Sequence, residues 1–204
     1  MNKITLLLLI AIVTTSCSSS KMTSSQWLSD DFKNQKIDRI LVFANTEDSK
    51  LQKDFENEAS LVLMQRGISA LKMHNLFPNL EYKKTHSQDE IKQFVLECKH
   101  RNIDKVLFAS QKSVSVDTVL KKSLHNYMNS LEPLKLGPID EENLTYDTKE
   151  VITYTIQAAV YDIAVTTEDK PIATTTVKAS NPKSKTELKA RFLKAISKLF
   201  KNNR

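Results

Sequence analysis

The sequence predicts a single α/β domain in the order β-α-β-α-β-β-β-α. Its mixed sheet joins a parallel βαβ part to a C-terminal antiparallel hairpin packed by helices. Two patterns support this fold class. In the first part of the domain, short apolar runs typical of buried strands alternate with amphipathic helical segments. In the last part, two segments of alternating apolar and polar residues flank a turn. Hydrophobic residues make up 40% of the chain, which indicates a folded protein.

Five strands are expected along the domain. The parallel ones are predicted at residues 37–44, 68–73 and 103–109, and the hairpin at 150–165 and 172–179. Alternation continues past the third strand through Val114 and Val116, so this strand either runs on or bends. Residues 121–148 form an irregular excursion without clean periodicity. A segment of this length is typical of either a functional loop or a disordered one.

Three helices are predicted from serine residues followed three positions later by Gln or Glu, which is the spacing of a capping box. The pairs are Ser49 and Gln52, Ser87 and Glu90, and Ser184 and Glu187. Gly67 is suited to the C-terminal end of the first helix. An apolar stripe from Leu188 to Phe200 identifies the buried face of the third helix.

The N-terminus has the pattern of a bacterial lipoprotein signal. Lys3 precedes an apolar run over residues 4–13, and small polar residues lead into Cys17. This resembles the lipobox, in which diacylglycerol is attached to the cysteine thiol before cleavage, although Thr14 stands where an aliphatic residue is usual. We therefore predict a signal peptide at 1–16, a lipidated Cys17 with a flexible tether at 17–36, and a single α/β domain at 37–204.

The N-terminal segment has two other interpretations, a helix across the bilayer and an ordinary secretion signal. The apolar run of about 10 residues is too short for a helix across a bilayer, which needs ~20. Ordinary secretion with an incidental Cys17 stays open because Thr14 is atypical. Ser18 is not the aspartate that holds some lipoproteins at the inner membrane. The resemblance therefore implies the cell outer membrane, with the periplasmic face favoured over the cell surface.

The residues that could bind cofactors are sparse. The two cysteines, Cys17 and Cys98, do not suggest a disulfide framework, and Cys98 fits a helix core position. The four histidines are not spaced as metal ligands. Two glycines are too few for a phosphate-binding loop. The sequence therefore predicts no metal site and no cofactor.

The formal charge of +6 comes from the C-terminal segment, where residues 183–204 carry eight basic side chains and one acidic one. The simplest interpretation is a solvated helix face. The functional alternative is contact with anionic lipid or peptidoglycan through Lys185, Lys189, Arg191, Lys194, Lys198 and Lys201. Nucleic acid is not expected, because export removes it and no aromatic residues interleave with these lysines.

Several short segments together resemble a family. They are Ser25 to Trp27, Arg39 to Phe43, Phe55 and Glu56, Gly67 and Ile68, Asp89 to Ile91, Ile103 to Leu107, and Val160 to Ile163. The chain is similar to small bacterial lipoproteins whose domain is like the amino-terminal domain of the Tol translocation protein. The lipoprotein activators of penicillin-binding proteins and the curli secretion lipoprotein share this plan. Ala173 departs from it, since a tryptophan is common there. The resemblance implies a non-catalytic role.

Three functions were compared. The first is an envelope lipoprotein that binds or assembles with an envelope protein through surfaces around residues 121–148. The second is a small-ligand carrier or sensor at the ends of the parallel strands, with Asn45, Thr46 and Asn75 as lining residues. The third is an envelope enzyme that uses Glu56 or Asp104. The first is preferred, and the protein is not expected to be an enzyme.

Overall fold

A computed structural model describes residues 21–78, 85–131, 146–164 and 170–202. Its six-stranded sheet has the order β1-β6-β5-β4-β2-β3. The strands are Lys21–Leu28 (β1), Arg39–Ala44 (β2), Ser69–Lys72 (β3), Lys105–Leu120 (β4), Thr148–Asp162 (β5) and Ala173–Ser180 (β6). The helices are Asp30–Asn34 (α1), Ser49–Met64 (α2), Met73–Leu76 (α3), Gln88–His100 (α4), Leu124–Asn129 (α5) and Lys185–Leu199 (α6).

The predicted fold class is confirmed. Strands β2, β3 and β4 pair in parallel and are connected through α2 and α4, whereas β4, β5 and β6 pair antiparallel. The predicted signal peptide, Cys17 and the central part of the 121–148 excursion lie outside the described residues.

Helices pack on both faces of the sheet around β2 and β4. One face is covered by α2 and α6 and contains the larger core. Its members include Ile40, Val42, Leu107, Val160, Val177, Phe192 and Ile196. The opposite face is covered by α3 and α4, where Leu41 and Val106 meet Met73 and Cys98. Adjacent residues of one strand therefore serve two different cores.

The N-terminal segment requires a correction. We predicted a flexible tether up to residue 36, but residues 21–28 form the edge strand β1, paired antiparallel with β6 over eight residues. Serine and threonine are compatible with a strand whose backbone is paired and whose outer face meets solvent. The inward side chains hold it as well: Leu28 packs against the core, and the Gln26 amide donates to the Ala195 carbonyl at 3.0 Å.

The helix ends follow the predicted spacings in part. Ser87 and Glu90 form the predicted capping box. At α2, however, the N-cap is Asp48, whose carboxylate accepts from the two amides that follow Ser49. Aspartate competes well for this position because its charged oxygen also interacts favourably with the helix dipole. Gly67 has a φ of 76°, the left-handed conformation predicted for it.

Strand β4 continues past Ala109 to Leu120, which is one of the two alternatives predicted for it. It pairs with β2 only as far as Ala109, shifts register between Gln111 and Ser113, and then continues beside β5 to Leu120. The bulge keeps the pairing with β5 while the neighbouring β2 has already ended. The far part of β4 therefore leaves the sheet with β5 as a two-stranded extension.

Candidate functional site

The extension of β4 and β5 is called the ribbon and comprises residues 114–120 and 148–154. Its ladder runs from Val114 opposite Tyr154 to Leu120 opposite Thr148. Strand β6 accompanies β5 only to Thr153, so most of the ribbon has no third strand among the described residues. The ribbon projects from one end of the sheet.

One face of the ribbon is mostly apolar, with five apolar residues beside Thr118, Thr148 and Glu150. Directly paired residues point to the same side, and alternate residues repeat that side. Val114, Val116 and Leu120 of β4 therefore share a face with Ile152 and Tyr154 of β5. Val116 and Leu120 are 59% and 56% exposed. The ribbon thus offers large apolar side chains to solvent.

Helix α5 closes the ribbon and extends its apolar surface. Leu124 is 73% exposed, Tyr127 62% and Met128 61%. Of the sixteen exposed large hydrophobic residues in the described chain, ten lie between residues 114 and 152. A concentration of this kind is typical of an interaction surface rather than of scattered surface residues.

Asn126 fixes the end of the ribbon. Its buried amide donates to the carbonyl oxygens of Lys121 and Asp147 at 2.8 and 2.7 Å, and its oxygen accepts from the Asp147 amide at 2.7 Å. Sequence reasoning missed this residue. Only the N-cap Ser123, three positions before it, signalled a helix start there.

The start of β1 lies at the same end of the sheet as the ribbon. Lys21 pairs with Ser180, Ser180 with Thr153, and Thr153 with Ser115. These four residues form one row across the sheet, and the ribbon continues beyond it. The first residue of β1, Lys21, therefore lies at the ribbon end of the sheet.

Helix α6 runs from the ribbon end to the opposite end. It begins five residues after Ser180, and near its other end the Phe200 ring lies 5.5 Å from the Phe32 ring of α1, which follows β1. A helix of 15 residues is ~22 Å long. Lys185 is therefore near the ribbon, while Lys198 and Lys201 are far from it.

The predicted basic residues of α6 have different environments. Lys189 forms an ion pair with Glu58 of α2. Arg191, Lys194, Lys198 and Lys201 are exposed, and none has an ion pair with another described residue. We call these four residues the basic face.

A shallow groove between α2 and α6 borders the basic face. Its apolar lining includes Val62 and Leu193, and Lys194 stands at its rim. Across the groove, the Arg66 guanidinium donates to the Ser197 hydroxyl at 2.9 Å. The neighbouring Leu61 is 59% exposed. This surface combines cations with apolar contact area.

Glu56 is completely buried, and both of its carboxylate oxygens are occupied. Oε1 accepts from the Ala44 amide and the Gln52 side chain, each at 3.1 Å. Oε2 accepts from the His74 amide at 3.0 Å, and Nδ1 of His74 lies 2.6 Å away. This carboxylate joins α2, β2 and α3. The contact with His74 spans 18 residues and was not foreseen.

The other candidate residues do not converge on Glu56 as one catalytic group. Asp104 precedes β4, where its carbonyl accepts from the Ile163 amide, while Glu56 lies at the opposite ends of the parallel strands. Asn45, Thr46 and Asn75 do lie at the carboxyl ends of β2 and β3, as predicted. The Asn45 amide donates to the Ala109 carbonyl, and the Thr46 hydroxyl accepts from the Asp48 amide. The carrier hypothesis stays a prediction.

Cys98 is a core residue of α4, as predicted. Burial raises the pKa of its thiol to about 12, and the charge of Glu97 acts in the same direction. Among the described residues, no group of three His, Cys, Asp or Glu side chains could hold a metal ion. None of the helices in these ranges is long and apolar enough to cross a membrane.

No protein-family model and no curated protein matches the chain. Solved structures with some likeness include the PelC dodecamer from Paraburkholderia phytofirmans, with a TM-score of 0.44 and 11% identity over 90% of this chain and 97% of that one. The hypothetical protein CT253 from Chlamydia trachomatis has a TM-score of 0.32 and 14% identity over 83% of this chain and 94% of that one. A minor lipoprotein from Acinetobacter baumannii has a TM-score of 0.27 and 9% identity over 80% of this chain and 87% of that one. Likeness this low carries no argument about function, and the Tol-like resemblance stays a prediction.

Proposed function

We propose that this protein is a lipoprotein of the bacterial outer membrane, attached through Cys17, with its domain in the periplasm. It acts as a non-catalytic binding or assembly module for an envelope protein with an acidic surface. The observation that carries the proposal is the position of the basic face, which lies on α6 and extends to the end of the domain opposite the start of β1.

The lipid anchor is supported by the sequence pattern before Cys17, and the course of β1 bears on how an anchored domain would be oriented. Strand β1 starts only four residues after that cysteine and is held along its whole length by β6. An anchored Cys17 therefore orients the domain, with the ribbon end toward the leaflet and the far end toward the periplasm. Lys198 and Lys201 then point away from the membrane, which favours a partner in the periplasm over the anchoring lipid.

The binding role is supported by the charge and shape of the helix pair. Four cations of the basic face lack an ion pair within the described chain, so an acidic partner would gain contacts without breaking internal ones. The groove beside them adds apolar surface that a partner could bury, in addition to the attraction between charges. An amphipathic acidic segment of a protein fits this combination better than a uniformly polar polymer.

The non-catalytic role is supported by the state of Glu56. A general acid or base must reach a substrate proton, and this carboxylate is buried with both oxygens hydrogen-bonded inside the protein. Its contacts hold the end of β2 against α2 and α3. A structural function accounts for all of them.

The anchor is tested by mass spectrometry of the protein purified from cell envelopes. The expected N-terminal residue is Cys17 carrying diacylglycerol and an acyl chain. Because Cys98 is buried, the native protein should also show no thiol that reacts quickly. A mature chain that begins elsewhere, or a free Cys17 thiol, would overturn the proposal.

The partner is tested by a photo-crosslinking residue at Lys198 in intact cells. We expect one envelope protein to be captured there and not from the matched position Lys99, which is exposed on α4 across the sheet. Reversing Lys194 and Lys198 to Glu should lower capture through another basic-face position about tenfold. Reversing Lys99 alone should leave it unchanged.

Two outcomes would contradict the protein partner. One is equal capture from Lys198 and Lys99. The other is co-sedimentation of the purified protein with peptidoglycan that depends on Lys194 and Lys198, without any captured protein. External protease on whole cells tests the orientation, since a periplasmic domain resists it until the outer membrane is opened.

A further inference from the structure

We propose that the tip of the ribbon, comprising Leu120, Leu124, Tyr127 and Met128, rests in the lipid leaflet that holds the Cys17 anchor. This inference rests on the proposed attachment through Cys17 and adds a second, non-covalent membrane contact. It concerns the ribbon end of the domain, whereas the proposed protein partner binds the basic face.

The proposed anchor, Cys17, is separated from the first residue of the sheet, Lys21, by only a short stretch of chain. Four peptide units join Cys17 to Lys21, and a chain of this length spans at most ~14 Å in any conformation. Lys21 cannot move toward the anchor independently, because its strand is paired with β6 from the first residue. Lys21 therefore stays within ~14 Å of the lipid attachment level, and with β1 upright on the membrane the row from Lys21 to Ser115 lies at the same height.

The ribbon is long enough to cover much of this distance. It extends five residues beyond that row, from Ser115 to Leu120, which is ~17 Å at ~3.4 Å per residue. Neighbouring strands twist by ~20–25°, so over the three steps from β1 to β4 the ribbon is inclined to β1 by ~60–75° and its tip rises ~4–9 Å toward the leaflet. The remaining gap of ~5–10 Å is no larger than the ~10 Å diameter of α5. The tip is therefore within reach of the lipid surface.

The side chains of the tip have the chemistry of residues found at a lipid surface. Leu124, Tyr127 and Met128 are the most exposed apolar residues of the described chain, at 73%, 62% and 61%. Exposed Lys121 and Lys122 stand between them and the ribbon. Leucine and methionine enter the acyl boundary, tyrosine favours the interface, and lysine reaches the headgroups.

A lipid surface explains these features better than a second copy of the chain does. The ribbon face that carries Val114, Val116 and Leu120 is the more apolar one, and the other carries Ser115, Asp117 and Val119. An element that is more apolar on one side and lies beside a short membrane tether matches a lipid boundary, where one side is apolar and the other is wet. The tether brings the tip to that boundary without requiring any further protein.

The test uses the lipidated full-length product, purified from envelopes and reconstituted in vesicles of phosphatidylethanolamine and phosphatidylglycerol. Leu124→Cys carries an environment-sensitive fluorophore, and Asp31→Cys carries the same probe at the far end as a matched control. Cys17 is blocked by lipid, and Cys98 is buried, so labelling is specific. Nitroxide-labelled lipids should quench the probe at position 124 several-fold more than the probe at position 31.

A second variant separates contact from proximity. Replacing Tyr127 and Met128 by Ser in the Leu124→Cys protein removes exposed apolar area and leaves the core untouched. Quenching at position 124 should then fall toward the control value while the protein stays bound to vesicles through Cys17.

The outcomes are distinct. A vesicle-bound, lipidated protein with equal quenching at positions 124 and 31 overturns this inference and leaves the proposed function standing. A probe at position 124 that is shielded from water only at high protein density, and is not quenched by the labelled lipids, shows that the tip contacts a second copy of the chain. That result also overturns this inference. A Cys17 without lipid overturns the proposed function and this inference together.

Discussion

The two halves of β4 both contain valine and leucine but place them in opposite environments. Residues 105–109 are enclosed between α2 and α4, and Val106 and Leu107 are completely buried. Residues 111–120 contain three valines and one leucine, yet all of them are exposed. The difference arises because β2 ends beside Ala109, and the exposed side chains of the ribbon show that no described helix covers them as α2 and α4 cover the first half. A valine or leucine of β4 is therefore buried or exposed according to which elements accompany the strand at that point.

The largest expected effect on stability is the difference between truncating a buried leucine in the first half of β4 and an exposed leucine in the second half. Leu107→Ala should lower the free energy of unfolding by about 3 kcal/mol, because it leaves a cavity beneath α2 and α6. Leu120→Ala should change it by less than about 0.5 kcal/mol, because that side chain is 56% exposed. Urea unfolding followed by circular dichroism measures both. Similar losses for the two variants would show that the ribbon is covered within the monomer.

A second pair of variants compares two glutamates of α2. Glu56→Gln should cost about 2 kcal/mol, because an amide cannot accept all the hydrogen bonds that the carboxylate receives from Ala44, Gln52 and His74. Glu58→Gln removes only a partly exposed ion pair with Lys189 and should cost under about 1 kcal/mol. Thermal unfolding of both proteins tests this order. A Glu56 variant as stable as the Glu58 variant would contradict a structural role.

Within the ribbon, the largest expected effect is at Asn126. Asn126→Ala removes three hydrogen bonds that close the ribbon, so the amides of Lys121 and Asp147 should exchange about tenfold faster or more. The global free energy of unfolding should fall by less than about 1 kcal/mol, because the ribbon lies outside the main core. Hydrogen exchange read by mass spectrometry gives both values. The control is Asn129→Ala, which should leave these two amides unchanged.

Near pH 8, the smallest effect on stability is expected from ionisation of the Cys98 thiol. With a pKa of about 12, against an ordinary 9.0, its thiolate fraction near pH 8 is about a thousandfold below that of an open thiol. The folded state favours the protonated thiol. Its contribution to stability is therefore complete below about pH 9 and is lost as the pH rises toward 12. Thiol labelling at pH 8 with and without urea tests the difference. Rapid labelling of the folded protein would place Cys98 outside the core.

The sequence was sufficient for elements whose pattern is local. Apolar runs located β2, β3 and the start of β4, and the Ser87 and Glu90 pair marked α4 correctly. It was insufficient where the partner is distant. Strand β1 is polar on its outer face and is identified only by its pairing with β6, about 150 residues away. Asp48 displaced Ser49 as the cap of α2, although both residues have cap chemistry.

The candidate sites divide in the same way. The basic residues of α6 were visible in the sequence, but their separation along a helix that leaves the ribbon end was not, since it depends on packing. Lys189 also meets Glu58, a pairing that no spacing indicates. The apolar surface near residues 121–148 was anticipated only as a region. Its physical form, a ribbon closed by Asn126, depends on contacts 21 residues apart.

The antiparallel edge strand β1 also decides how mechanical tension would enter the domain. A pull on Cys17 acts along the axis of β1 and loads its eight register pairs with β6 together, in shear, rather than opening them one by one. Strands loaded in this direction resist force better than a hairpin peeled from its end. If Cys17 is anchored as proposed, tension between the anchor and a partner on α6 would therefore be carried by the whole β1–β6 ladder.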